Sequence, residues 1–170
     1  LDRLVRADGV WGAGSFTYDA LDNLRSSSVG GRTLIHHIDA STNRLVNLTG
    51  SRNVELAYDA NGNVTQRGTQ GFSFDIANRL SRATGLADYT YDGHGRRALV
   101  AYANGQSARH VYDQSGQLLR SVHSTQGTTQ YIHLEGTLVA EVNSLSGVSY
   151  VHSDLLGSPV ARTNGSGQLL

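Results

Sequence analysis

The chain has 170 residues, 14 basic side chains balanced by 14 acidic ones, seven histidines and no cysteine. That length fits about one domain with a real core. The neutral charge argues against a nucleic-acid binder, which carries a basic excess, and the absence of cysteine removes disulfides, thiolate metal sites and cysteine nucleophiles. No apolar run approaches the roughly 20 residues of a membrane-spanning helix. Gly numbers 20 beside plentiful Ser, Thr, Asn and Gln, a balance that favours turns and strands over helices. The chain opens on Leu1, contains no Met and no Lys, and is expected to be a piece of a longer polypeptide.

Read in chain order, one pattern recurs. Phe16-Thr-Tyr18-Asp19 is followed by His37-Ile38-Asp39, Leu56-Ala-Tyr58-Asp59, Phe72-Ser-Phe74-Asp75, Tyr89-Thr-Tyr91-Asp92 and His110-Val-Tyr112-Asp113. The aspartates are spaced by 20, 20, 16, 17 and 21 residues. A fixed period of this size marks a repeat architecture in which each unit is one supersecondary element. Residues two apart share a face of a strand, so Phe16/Tyr18, Leu56/Tyr58, Phe72/Phe74 and Tyr89/Tyr91 predict a buried apolar layer. Each Asp predicts a turn, because its carboxylate accepts a bond from a backbone N–H two residues on. Gly62, Gly95 and Gly116 stand at the fourth position, where positive φ is needed; Asp22, Asn43 and Asn78 are the substitutes that tolerate it best. Leu24, Leu45, Val64, Leu80 and Leu118 then begin return strands. Second turns are read at Ser28–Gly31, Gly50–Asn53, Asn104-Gly105 and Thr125–Gly127. The expectation is all-β: about fourteen short strands in consecutive antiparallel hairpins.

The Tyr-Asp pairs do not read as catalytic. Phe74 and Ile38 replace the Tyr in two copies and carry no hydroxyl, and a stacked hairpin needs many copies of one unit whereas a catalytic constellation does not. The histidines 36, 37, 94, 110, 123, 133 and 152 show no His-x-x-x-His spacing, although His133 and His152, on different strands, have the means to approach each other. Gly93-His-Gly95 precedes a strand rather than the helix N-terminus that phosphate cradling needs. His152-Ser153-Asp154 has the letters of a catalytic triad, but contiguous residues cannot converge. Asn47, Asn63 and Asn164 match the N-glycosylation pattern, which arises easily in such composition. The arginines read as solvated side chains alternating with inward aromatics. The site expectation is therefore no catalytic, cofactor-binding or metal residue, and no enzyme.

At Tyr58-Asp59…Gly62-Asn63-Val64, Tyr91-Asp92…Gly95-Arg96 and Tyr112-Asp113…Gly116-Gln117-Leu118 the sequence resembles the YD-repeat, or Rhs-repeat, family. Tyr131–Glu141 and His152-Ser-Asp154-Leu-Leu-Gly157-Ser-Pro159 resemble the opening of that family's repeat-associated core domain. The resemblance implies YD-repeat hairpins over residues 1–130 and a truncated core domain over 131–170. It implies a curved, spiralling sheet, a segment of a hollow shell that encapsulates a C-terminal toxin cargo and helps deliver it. The implied partners are that cargo and other shell segments, both absent here, with open strand edges covered by a second copy or a partner chain. The implied setting is secreted or cell-surface, in a bacterial toxin system, without nucleic acid, membrane span or cofactor. The family's Asp-Pro cleavage strings have no counterpart, since Ser158 precedes the only proline, Pro159. Two other readings stand beside this one. A small β-propeller would pair two hairpins per blade; an extracellular carbohydrate- or ligand-binding β-repeat would use exposed Tyr, Asn and Arg.

Overall fold

The computed structural model describes residues 3–170. They form seventeen strands and, among the described residues, no helix. Two compact units divide the chain at Leu80/Ser81.

The first unit holds β1 (Arg6–Gly9), β2 (Gly12–Tyr18), β3 (Leu24–Val29), β4 (Arg32–Ile38), β5 (Leu45–Gly50), β6 (Val54–Tyr58), β7 (Val64–Arg67) and β8 (Gln70–Phe74). β9 (Leu80–Ala83) starts on its last residue and pairs with β10 (Ala87–Tyr91). The second unit continues with β11 (Arg97–Tyr102), β12 (Ser107–Tyr112), β13 (Leu118–His123), β14 (Gly127–Leu134), β15 (Thr137–Asn143), β16 (Gly147–Ser153) and β17 (Pro159–Asn164). The strands beyond the expected fourteen include β1 and β17, which lie outside the six Tyr-Asp hairpins.

Antiparallel pairings join chain neighbours from β1 through β8 in the first unit and from β9 through β17 in the second. Each unit is thus an unbroken meander. A propeller would interrupt the ladder after every fourth strand; here β4 pairs with β5 through five residue pairs, and β12 with β13 likewise. The propeller reading falls on that continuity.

Five of the six Asp hairpins carry the same irregularity. The register shifts by one residue between Thr17 and Tyr18, His37 and Ile38, Ala57 and Tyr58, Thr90 and Tyr91, and Val111 and Tyr112. A bulge at the end of the ascending strand adds twist and aims the chain into the turn. The same shift recurs at Ile132/His133 and His152/Ser153, beyond the six copies read from the sequence. The division read at residues 130/131 lies inside β14.

The core is thin. The buried hydrophobic side chains are small: Val54, Ala83, Ala87, Val100, Ala108, Ala140 and Val151. Phe16, Tyr18, Leu56, Tyr58, Phe72, Phe74, Tyr89 and Tyr91 share a face as the alternation requires, but all are only half-buried. The buried apolar layer expected from the sequence is therefore corrected to a half-buried one. Alternation reveals which residues share a face, and within each unit the meander supplies no second layer to close that face from water.

Candidate functional site

The most regular feature of the molecule is the row of Asp turns. In five of the six, the carboxylate Oδ1 accepts the backbone N–H four residues on: from Asn23 to Asp19 at 3.0 Å, Asn63 to Asp59 at 2.8 Å, Arg79 to Asp75 at 3.0 Å, Arg96 to Asp92 at 2.9 Å and Gln117 to Asp113 at 2.9 Å. A second N–H, two residues on, reaches the same oxygen from Leu21, Ala77 and His94, each at 2.9 Å. The main chain closes the loop: the N–H at the fourth position bonds the Asp carbonyl, as Gly62 does to Asp59 at 3.1 Å and Gly95 to Asp92 at 3.0 Å. The residue making that bond has positive φ, whether Gly62 (92°) or its substitutes Asp22 (66°) and Asn78 (60°). Asn43 (55°) does the same one residue later in the longer Asp39 loop.

These bonds hold the carboxylates in their charged form. Asp19 is held below the ordinary range chiefly by the Asn23 side chain, Asp59 by that of Asn63, Asp75 by that of Arg79 and Asp113 by the Ser115 hydroxyl. For Asp92 the Arg96 backbone N–H dominates. Asp39 is lowered furthest, to about 2, by the Ser41 and Thr42 hydroxyls and then the Thr42 N–H. Carboxylates tied up in several donor bonds are poor general bases and good staples.

Two further turns repeat the geometry. Asp154 Oδ1 accepts from the Leu156 and Ser158 N–H groups, both at 2.9 Å, and Asn164 Oδ1 from Ser166 and Gln168, both at 3.0 Å. The Asn164 turn folds the chain back, with Thr163 bridged to Leu169.

The tyrosines before the aspartates bond outward from their own hairpins. Tyr58 Oη donates to the Leu45 carbonyl at 2.7 Å, Tyr18 to Leu4 at 3.0 Å and Tyr112 to Arg97 at 3.2 Å. Over each of these rings lies an arginine from earlier in the chain: Arg3 over Tyr18 at 5.3 Å, Arg44 over Tyr58 at 5.4 Å and Arg96 over Tyr112 at 5.9 Å. The same guanidinium reaches the next turn's main chain, Arg3 to the Asp19 carbonyl at 3.1 Å and Arg44 to the Asp59 carbonyl at 3.3 Å. Arg96 donates to the Asp113 carbonyl and to the Gln114 carbonyl, the latter at 2.7 Å. Reading the arginines as solvated missed these clamps. Arg44 and Arg96 stand at the exits of their turns, with a Tyr-Asp pair following in the next hairpin, but no local pattern joins the two.

The opposite margin is held by serine. Beyond the β4–β5 ladder, the Ser51 N–H donates to the Thr33 carbonyl at 2.8 Å while Ser51 Oγ accepts the Thr33 N–H at 2.9 Å. Ser124 does the same for Ser107, and Ser144 for Thr128.

The histidines are dispersed. His123 Nδ1 accepts the Thr125 and Gln126 N–H groups at 3.2 Å, capping a turn. His37 and His152 pair with the hydroxyls of Thr49 and Thr163 at 2.8 and 3.0 Å. His94 sits in the Asp92 turn. Burial pushes His36 and His110 below the ordinary imidazole value, and His110 also feels Arg97. The Nδ1 atoms of His110 and His133 are buried without a hydrogen-bond partner. His133 and His152 lie on β14 and β16, with β15 between them. Among the described residues no group of three or more His, Asp or Glu is placed to hold a metal ion, and no helix is long and apolar enough to cross a membrane.

Comparison with known proteins follows the geometry. The family model described as "Teneurin YD-shell" matches residues 1–170. Teneurin-1 of Gallus gallus is 26% identical over 165 residues, covering 91% of this chain and 6% of that protein. Teneurin-3 of Mus musculus is 29% identical over 133 residues, covering 72% of the chain and 5% of that protein. A Bacillus spizizenii protein named tRNA3(Ser)-specific nuclease WapA is 24% identical over 165 residues. The chain thus spans only a small part of these relatives' length. Among solved structures, TcdB2-TccC3-TEV superposes with a TM-score of 0.51 at 12% identity, covering 88% of the chain and 11% of its counterpart, a likeness of fold.

Proposed function

We infer the function from one premise: the chain belongs to the Teneurin YD-shell family. On that premise it is a structural module, a stretch of shell wall, and its finer role is to enclose a cargo. The observation that carries this reading is the unbroken meander in each unit, pinned turn to turn along one margin and by serines along the other, with a thin core. Such a layer gains little from burying its own apolar groups. Its worth lies in the surface it presents and the space it bounds.

The cargo is a C-terminal toxin, and the other partners are further shell segments beyond this chain. Residues 131–170 open the core domain that follows the repeats. The setting is secreted or cell-surface, within a bacterial toxin system. The match to a Bacillus relative with a nuclease name supports that setting. The wall has no catalysis of its own: the repeated carboxylates are spent on turn bonds, which supports a structural role.

An unclosed meander leaves strand edges that pair with other chains unless blocked. Lysine and proline are the usual blockers, and this chain has no lysine and one proline. Light scattering across a hundredfold range of micromolar concentrations tests the reading. The expected result is an apparent mass that rises with concentration above the 18.2 kDa of one chain. A concentration-independent monomer would overturn it.

A further inference from the structure

Hairpins built to one pattern pose a problem: each offers its neighbour nearly the same surface, so a wrong hairpin docks almost as well as the right one. Similar repeats are prone to such misassembly. The margin of Asp turns carries a device against it.

Two kinds of junction link successive turns within the six Tyr-Asp hairpins. In the first, the turn-exit residue is arginine and the next hairpin carries Tyr: Arg44 covers Tyr58 and bonds the Asp59 carbonyl, and Arg96 does the same to Tyr112 and Asp113. Arg3 treats Tyr18 and Asp19 in the same way. In the second kind, the exit residue is asparagine and the next hairpin carries Ile38 or Phe74, which have no hydroxyl. There Asn23 Nδ2 donates to Asn43 Oδ1 at 2.7 Å, and Asn63 Nδ2 to Asn78 Oδ1 at 2.9 Å. The acceptor in each case is the positive-φ residue of the next turn.

The positive-φ position completes the correspondence. Opposite Arg44 it is Gly62, and a Cβ there would come within 3.2 Å of Arg44 Nη2. Opposite Arg96 it is Gly116, where a Cβ would lie 3.7 Å from Arg96 Nε. Opposite Arg3 it is Asp22, which forms an ion pair with it at 2.5 Å. Opposite Asn23 and Asn63 it is Asn. So arginine goes with Tyr and a bare or acidic turn, and asparagine goes with a hydroxyl-free strand and an Asn turn. In the sequence, Arg79 is likewise followed by Tyr91 and then Gly95.

We propose that the turn-exit residue is a specificity determinant that selects which hairpin may dock next, a two-letter pairing code fixing the order of otherwise interchangeable repeats. A mismatched junction is penalised on both sides. Arginine facing an Asn turn meets a neutral amide, where it finds open space at Gly62 and Gly116 and a carboxylate at Asp22. Asparagine facing Tyr and Gly leaves the ring uncovered and has no amide oxygen to meet.

The test is a junction swap in the full chain, read by amide hydrogen exchange over residues 59–63 and by thermal melting. Arg44→Asn alone is expected to lose protection there by about tenfold, since a cation–π contact and one hydrogen bond disappear together. Gly62→Asn alone is expected to do the same, although Asn is otherwise well suited to positive φ. The triple variant Arg44→Asn, Tyr58→Phe, Gly62→Asn recreates the Asn63–Asn78 type of junction and is expected to regain most of the protection. Single and triple variants that lose protection equally would overturn the code, as would a Gly62→Asn that behaves like the parent. Should Arg44→Asn fail to fold, soluble and folded triple variant supports the proposal, and a triple variant that also fails refutes it.

Discussion

In each unit the two margins of the meander do the same mechanical work with different chemistry. Along the Asp margin each turn is stapled by a carboxylate that collects two to four donors, and arginine or asparagine ties the turns at Asn23–Asn43, Arg44–Asp59, Asn63–Asn78 and Arg96–Asp113. Along the other margin a serine hydroxyl and the adjacent backbone extend the ladder by one residue, at Ser51, Ser124 and Ser144. One margin depends on ionised groups and the other on neutral ones. The difference means that solution conditions can loosen one side of each hairpin while leaving its other side intact.

Acid should break that symmetry most strongly. The turn aspartates have folded-state values below the 3.8 of the free group, and Asp39 sits at about 2. A lowered carboxylate value means that the unfolded chain binds the proton more readily. The contribution is therefore complete above about pH 4 and is lost as pH falls from there through the folded values towards 2. A weaker decline starts below 6.5, because burial makes His36 and His110 resist a proton that the unfolded chain accepts. Hydrogen exchange followed from pH 7 to pH 2 is expected to show the Asp turns opening before the serine margin. Both margins opening together would erase the distinction.

The Asp margin was legible in the sequence because its chemistry is local. Asp59 and Gly62 lie three residues apart, and turn geometry dictates both letters. Even the substitutions Asp22, Asn43 and Asn78 were readable as positive-φ residues, and each is one. Glu135, with φ of 48°, was not. There Leu134-Glu-Gly-Thr137 makes a two-residue hairpin loop of the kind that needs positive φ at both central positions, and glutamate is an unusual occupant. The clamps were not legible because Arg44 and Tyr58 are fourteen positions apart, on different hairpins, with nothing in local pattern to bind them. The serine margin was hidden by abundance, since Ser51 and Ser144 look like any loop serine. Burial was misjudged for a different reason: whether a face is covered depends on a layer that a strand's own alternation does not encode.

A smaller effect sharpens the contrast from the neutral side. Ser144→Ala removes the acceptor of the Thr128 N–H and keeps the backbone half of the pair. The site is exposed, so water takes over the freed amide, and the cost should fall near the low end of a net hydrogen bond, about 0.5–1 kcal/mol. Urea unfolding at pH 7 and at pH 3 should give the same difference between variant and parent, because no ionisable group has been touched. A difference that changes with pH would show the two margins to be coupled.

The smallest expected effect separates the geometry of the Asp turn from its charge. Asp154 uses a single carboxylate oxygen to accept two backbone N–H groups, at 2.9 Å each. Asn164, ten residues on, makes the same two bonds with its amide oxygen at 3.0 Å, and its N–H bonds the Gln168 carbonyl just as that of Asp154 bonds the Ser158 carbonyl. An amide oxygen is therefore sufficient for this turn. Asp154→Asn should move the melting midpoint at pH 7 by no more than about 2 °C, the scale of a neutral surface change in a chain of this size. The contrasting site is Asp39, whose Oδ1 also takes the Ser41 and Thr42 hydroxyls at 2.6 and 2.9 Å. Four donors converging on one oxygen favour full negative charge, so Asp39→Asn should lower the midpoint more than Asp154→Asn does at pH 7, and that gap should close near pH 2, where the parent Asp39 itself takes up a proton. Equal effects of the two substitutions at pH 7 would mean that the carboxylates serve as shaped acceptors alone, and that charge contributes nothing to the margin they line.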